Sequence, residues 1–214
     1  MSDHDFDFEP QPGIPAPLPE GEEILWQGKP DMWMLARDAF KIRWMTGIML
    51  FVAAWRTALY WHEEGARVAL PTAAVLFLLM AAVVYGLMLL LAFAQARAAI
   101  YTITSARVIL RIGAALQVTF TIPFTVIESM SLAKLGRKGF GTIALQNRSD
   151  MRLSYGVLWP HARPWHFRVP QAAFRCIPEA EKVARILSEA AQAKLNEPQV
   201  VAAPKAGAAL AVAE

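Results

Sequence analysis

Residues Val68 to Ala94 read VALPTAAVLFLLMAAVVYGLMLLLAFA, 27 positions without a charged side chain. A helix rises about 1.5 Å per residue and needs about 20 apolar residues to cross the hydrocarbon core, so this run predicts a membrane-spanning helix. A second apolar stretch, Trp44 to Trp61, precedes it and is interrupted only by Arg56, close enough to the end of the segment to snorkel outward. The polar turn His62 to Arg67 between them is short enough to join antiparallel neighbours. The expectation is therefore a two-span hairpin over 44–95, with spans at 44–61 and 70–93.

Cations near the spans orient the hairpin. Lys29, Arg37, Lys41 and Arg43 precede it and Arg97, Arg107 and Arg111 follow it, whereas the turn holds Arg67 beside Glu63 and Glu64. Both termini are expected in the cytoplasm, with the protein in the bacterial cytoplasmic membrane, inner or intracytoplasmic. The acidic start lacks a basic n-region before an apolar core, so no cleaved signal peptide is expected. A single cysteine, Cys176, excludes an internal disulfide framework and a Cys-rich zinc site. An inert, partly buried thiol is expected there.

The first 23 residues carry seven acids and no Lys or Arg, while 97–175 hold eleven Lys or Arg against Glu128 and Asp150. A basic module tied to a leaflet of anionic lipid gains about 1 kcal/mol per cation near the surface, so anionic lipid is one expected partner. Nucleic acid is not, because no nucleic-acid-binding motif accompanies the charge.

Along the chain, residues 1–21 are acidic and rich in Pro, which predicts a disordered N-terminus in which Phe6 and Phe8, alternating with acids, are candidate contacts for a basic groove. Residues 22–43 read as a strand closed by Gly28 and an amphipathic lead-in helix with Asp31 as its N-cap. After the hairpin, apolar alternation replaces helical spacing. Strands are expected at 100–104, 107–112, 116–122, 126–132, 142–146 and 151–155, joined by small turns, as in an antiparallel sandwich or partly open barrel. Pro178, Glu179 and Glu181 open a closing helix whose Ala180, Val183, Ala184, Leu187, Ala190 and Ala191 form an apolar stripe fit to pack on the sheet. The module is expected over 97–195, and 196–214 as a disordered tail. The fold class is thus an α+β membrane protein: a transmembrane hairpin inserted in an antiparallel β-sandwich with a C-terminal capping helix.

Trp26-x-Gly28, a membrane hairpin and then Tyr101-Thr-Ile-Thr-Ser-Ala-Arg107-Val-Ile-Leu-Arg111-Ile-Gly113 together resemble the bacterial pleckstrin-homology-like (PH-like) domain. In that family Tyr-x-Leu-Thr-x-x-Arg, two hydrophobics, x-Arg-x-Gly opens the sandwich; Ile103 stands in place of the Leu. His4 to Pro10 and Leu158-Trp-Pro-His-Ala-Arg-Pro-Trp165 are similar to the PuhB family of photosynthetic-complex assembly proteins. That resemblance implies a non-catalytic assembly factor for the reaction centre and core light-harvesting complex, with their subunits or assembly intermediates as partners. It implies no catalytic residue, cofactor or metal. The alternative is a general membrane-anchored PH-like scaffold or lipid-headgroup-binding protein with no photosynthetic client.

Independently of any family, Trp159, His161, Arg163, Trp165 and Arg168 make a stiff aromatic and cationic loop, a candidate contact for a partner or a headgroup; covering the sandwich edge is the blander role. His62, at the hairpin mouth, is the residue nearest to a pigment ligand, and a hydrated interfacial role is preferred. Ala54 with Ala58, and Ala82 with Gly86, are small pairs that let helices approach, either within the hairpin or in self-association or client contact.

Overall fold

The computed structural model describes residues 12–64, 66–136, 139–148 and 154–196. Phe6, Phe8 and the tail from 197 onward lie outside the described residues, as do the side chains of His62, Glu63, Glu64 and Arg67.

Strand β1 (Ile24–Gly28) is followed by helix α1 (Met32–Asp38). Asp31 caps α1 by accepting the Met34 amide at 2.8 Å. The chain then turns at Lys41, whose φ of +53° ends one helix and whose carbonyl receives the Trp44 and Met45 amides at the start of the next. Helices α2 (Ile42–Glu64) and α3 (Ala66–Ala98) follow. The six-residue polar turn expected at 62–67 is thus largely absorbed into the two helices.

The two helices pack on each other. Half-buried positions recur at helical spacing, at Met45, Met49, Ala53 and Thr57 on α2 and at Phe77, Ala81, Val84 and Met88 on α3. The remaining faces leave large apolar side chains uncovered, among them Leu50, Phe51, Trp55, Leu79, Val83 and Leu90. The expected pair of spans is met only in part. Among the described residues, Val75–Ala98 alone is long and apolar enough to cross a membrane, with a mean hydropathy of 2.8 and only 6% of its most apolar window buried. Arg43, Thr46, Gly47, Arg56 and Thr57 dilute the apolar character of α2.

The chain continues as β2 (Ile100–Thr104), β3 (Arg107–Ile112), β4 (Val118–Pro123), a 3-10 turn Phe124–Val126, β5 (Ile127–Leu135), β6 (Phe140–Asn147), the one-turn helix α4 (Tyr155–Leu158), β7 (Ala172–Ile177) and α5 (Ala180–Asn196). The strands form two antiparallel sheets, in the orders β1-β2-β3-β4 and β5-β6-β7. Strand β1 pairs with β2 across the whole hairpin, placing Gly28 opposite Tyr101. The core between the sheets holds Tyr101, Ile103, Leu110, Ile122, Ile143, Leu145 and Phe174, and the stripe Ala180, Val183, Leu187, Ala190 and Ala191 of α5 closes it. A second cluster joins the hairpin to the sandwich, where Leu35 of α1, Ala96 of α3 and Cys176 of β7 are buried together.

Two expectations need correction. The strand expected at 151–155 lies outside the described residues up to 153, and Tyr155 opens α4 instead, while β7 carries the third position of its sheet. The described part of the expected disordered N-terminus is anchored at one point and otherwise largely exposed: Gly13 and Ile14 are buried, and the Pro12 carbonyl accepts the Gln27 side-chain amide at 2.9 Å.

Candidate binding surface

The motif that opens the sandwich is explained by its geometry. The Thr104 hydroxyl accepts the Arg107 amide at 3.0 Å, closing the turn between β2 and β3, and donates to a Glu22 carboxylate oxygen at 2.6 Å. Arg107 completes a fork on the same carboxylate, with Nε at 2.9 Å from Oε1 and Nη2 at 2.5 Å from Oε2. Burial raises the Glu22 carboxyl, but the hydrogen bonds from Arg107 and Thr104 outweigh it and hold the group below the usual carboxylate range. Gly28 is required because a Cβ there would sit 2.3 Å from the Trp26 ring. Gly113, at φ +102°, would place a Cβ 2.0 Å from the Leu116 carbonyl.

Behind the Trp159 to Trp165 loop lies a buried polar network. The Tyr101 hydroxyl contacts His161 Nδ1 at 2.5 Å inside the core, and the rings meet edge to face. Arg175, on β7, donates Nη1 to the carbonyls of Pro160 and Ala162 at 3.2 and 3.3 Å, and its Nη2 pairs with the Asp38 carboxylate at the end of α1. Burial, helped by the Arg175 charge, pushes the His161 imidazole down to about 3, so it is neutral. Burial pushes the Tyr101 phenol up and the Cys176 thiol up to about 12.

This network overturns the expected role of His161 as an exposed polar tip: it is fully buried and anchors the loop from within. Arg163 is likewise held in place, by the Gln171 side-chain carbonyl at 2.9 Å. What the loop presents is aromatic. Trp165 is 80% exposed at φ +65°, with Phe167, Val169 and Arg168 exposed near it in sequence. The Trp165 and Phe167 rings lie 6.2 Å apart, and Phe167 packs on Tyr155 at 4.6 Å. Trp159 is 43% exposed and stands edge-on to Phe40, just before the Lys41 turn, so the loop touches the base of the hairpin.

The small pairs also differ from the first expectation. Ala54, Ala58, Ala82 and Gly86 are all exposed on the outer faces of the helices, away from the half-buried positions that join α2 to α3. Close packing within the hairpin is therefore not their role. The basic character of 97–175 is partly consumed inside the fold, since Arg107, Arg111 and Arg175 are engaged by Glu22, Gln117 and Asp38. Among the described residues no group of three or more His, Cys, Asp or Glu could hold a metal ion.

Asp38, Arg175 and Phe167 escape the sequence reading, as do the roles of Tyr101 beneath His161 and of Phe40 against Trp159. A lone Arg inside the apolar run Ala172-Ala-Phe-Arg-Cys-Ile177 was the available signal, because a cation there must be buried with a partner.

Two antiparallel sheets closed by a C-terminal helix, with an aromatic loop at one edge, define a PH-like binding module. The chain belongs to the bacterial PH domain family, whose model matches residues 65–191. Strand β1 lies outside that match and completes the first sheet from the far side of the hairpin. PH domains are in general non-catalytic modules that bind proteins or lipids. No solved structure matches the chain.

Proposed function

We propose that the protein is a membrane-anchored PH-like adaptor that presents the Trp159 to Val169 loop to a protein partner at the cytoplasmic face, without catalysing a reaction. The observation that carries this reading is the exposed Trp165 and Phe167 pair, held on a rigid base by the Tyr101, His161 and Arg175 network beside the hairpin. Exposed aromatics on a fixed scaffold concentrate binding energy at low entropic cost.

In this reading the hairpin anchors the module at the membrane, supported by the apolar, largely uncovered Val75–Ala98. Strand β1 leads through α1 into α2, and α3 leads into β2; the two strands are hydrogen-bonded to each other, so both ends of the hairpin share one side. If α3 crosses the bilayer, α2 must carry the chain across first; with 23 residues it reaches about 35 Å, against a core of about 30 Å. The cations flanking the hairpin support a cytoplasmic side for the proposed module, residues 97–195 with β1.

Resemblance to the PuhB family supports the reaction centre and core antenna, or their assembly intermediates, as the client. Phe6 and Phe8 add a second candidate contact, and the outward small pairs of both helices offer a surface to client helices or a second copy. Co-purification with reaction-centre subunits should be lost in Trp165→Ala/Phe167→Ala; unchanged recovery counts against the loop. A general PH-like scaffold is the second reading, and normal core-antenna absorbance in a deletion strain under photosynthetic growth would favour it.

A further inference from the structure

At the elbow between α1 and α2 is a cavity of about 510 Å³ lined by Arg37, Asp38, Lys41, Arg43 and Trp44, with Gly136 of the β5–β6 turn on its far wall. Its charge is strongly positive. The Asp38 carboxylate is taken up by buried Arg175, and Lys41 reaches it only at 3.4 Å from an exposed position. Among the described residues, no ion pair engages Arg37 or Arg43.

A second hollow of about 380 Å³ shares Arg43 and Trp44 with the first. Its other walls are Gly47, Ile48 and Phe51, apolar residues on the outer face of α2. Gly47 leaves the floor open, since a Cβ there would meet nothing within 4 Å. A cationic cup that shares two wall residues with an apolar groove on an exposed helix face has the two-part chemistry of a phospholipid, and Trp44 lines both, where an interfacial aromatic is favoured.

We propose that this elbow binds one anionic phospholipid, with the phosphate held by Arg37, Lys41 and Arg43 and an acyl chain lying over Gly47 against Ile48 and Phe51. The proposal rests on the membrane reading of the hairpin and is separate from the aromatic loop. A bound lipid would brace the elbow on which Phe40 and Trp159 meet, and so link the lipid composition of the leaflet to the position of the loop.

The test is native mass spectrometry of the full chain released from detergent micelles. It is titrated with dioleoylphosphatidylglycerol, with dioleoylphosphatidylcholine, and with the first lipid in the presence of excess glycerol 3-phosphate. Wild type should retain one phosphatidylglycerol about tenfold more tightly than phosphatidylcholine, since three cations attract the net negative headgroup and part of that gain is lost to ordering. Arg37→Gln/Lys41→Gln/Arg43→Gln should bring the ratio close to one, and Gly47→Leu should weaken both lipids alike. Should the triple variant fail to fold, the single exposed reversal Arg43→Glu must still lower the ratio.

An unchanged preference in these variants overturns the proposal. Displacement by glycerol 3-phosphate would show a site for free phosphate and would also overturn it. Carbonate washing of membranes that carry the wild-type chain separates the two layers of inference: release of the protein defeats the membrane reading, whereas retention without lipid preference defeats this site alone.

Discussion

The Asp38–Arg175 pair joins the end of α1 to the core of the sandwich, so breaking it should loosen the elbow and the aromatic loop together. The Arg175 side chain is 4% exposed and that of Asp38 22% exposed. In Asp38→Asn the guanidinium stays charged and buried, with the carbonyls of Pro160 and Ala162 as acceptors that carry no full charge. Removing one partner of a fully buried pair costs about 3 to 5 kcal/mol; the partial exposure of Asp38 lowers this to about 2 to 3 kcal/mol. For a chain of this size that is a fall in Tm of about 5 to 10 °C. Thermal unfolding of the full chain in detergent, followed by circular dichroism, measures it. Lys41→Gln, which removes only the exposed partner of Asp38, should change Tm by less than about 2 °C. Asp38→Leu/Arg175→Met should recover much of the loss, because neither charge then remains buried. If Asp38→Asn melted with the wild type, Arg175 would not depend on this pair and the coupling between elbow and sandwich would be refuted.

Four further outcomes follow from the same geometry. The folded pKa of His161 lies below its unfolded value, so only the unfolded chain takes up a proton as pH falls below about 6.5; stability should drop by about 1 kcal/mol between pH 7 and 5.5 in denaturant titrations, a slope that His161→Gln removes. Glu22, whose folded pKa is lowered, contributes stability that is present above the ordinary carboxylate range and lost as pH falls through its lowered folded pKa; Glu22→Gln should cost about 1 to 2 kcal/mol at pH 7 and progressively less as acidification protonates the wild-type carboxylate, as read by denaturant titration. Gly113→Ala should destabilise by more than about 2 kcal/mol, because the new methyl collides with the Leu116 carbonyl and φ is positive; a variant as stable as wild type would show that this turn is not required. Leu187→Ala should cost about 2 to 5 kcal/mol, measured by chemical denaturation, since its side chain is wholly buried where α5 closes the sandwich.

Much of the architecture is legible in the chain because simple periodicities carry it. The uncharged run from Val68 sets α3, runs rich in β-branched residues and bounded by turn residues set β2 and β3, alternation sets β4, and the Ala, Val and Leu stripe sets α5. Strand β7 is illegible for a physical reason: all six of its residues are buried, so no polar face alternates with an apolar one, and Ala172-Ala-Phe-Arg-Cys-Ile177 has only one β-branched residue to mark it as a strand. The loop was visible as a cluster of Trp, Pro and cations, but composition cannot tell which of its polar side chains turn inward. His161 and Arg163 are held by Tyr101 and Gln171, partners that are distant or unremarkable in sequence, whereas Trp165 is left outside. Positive charge misleads in the same way. Arg107, Arg111 and Arg175 count as a basic surface in the sequence and act as struts in the fold.

The central claim is that an apolar hairpin anchors a PH-like module whose first strand and remaining strands lie on one side of a membrane. Cysteine accessibility tests it most directly, using Cys176→Ala chains with single cysteines placed at Glu20, near residue 65 and at Glu189, and a membrane-impermeant maleimide applied to intact cells and to inverted vesicles. The account predicts labelling of the Glu20 and Glu189 positions only in inverted vesicles and of the turn only in intact cells. Labelling of Glu20 and Glu189 from opposite sides, or of all three from one side, would contradict it.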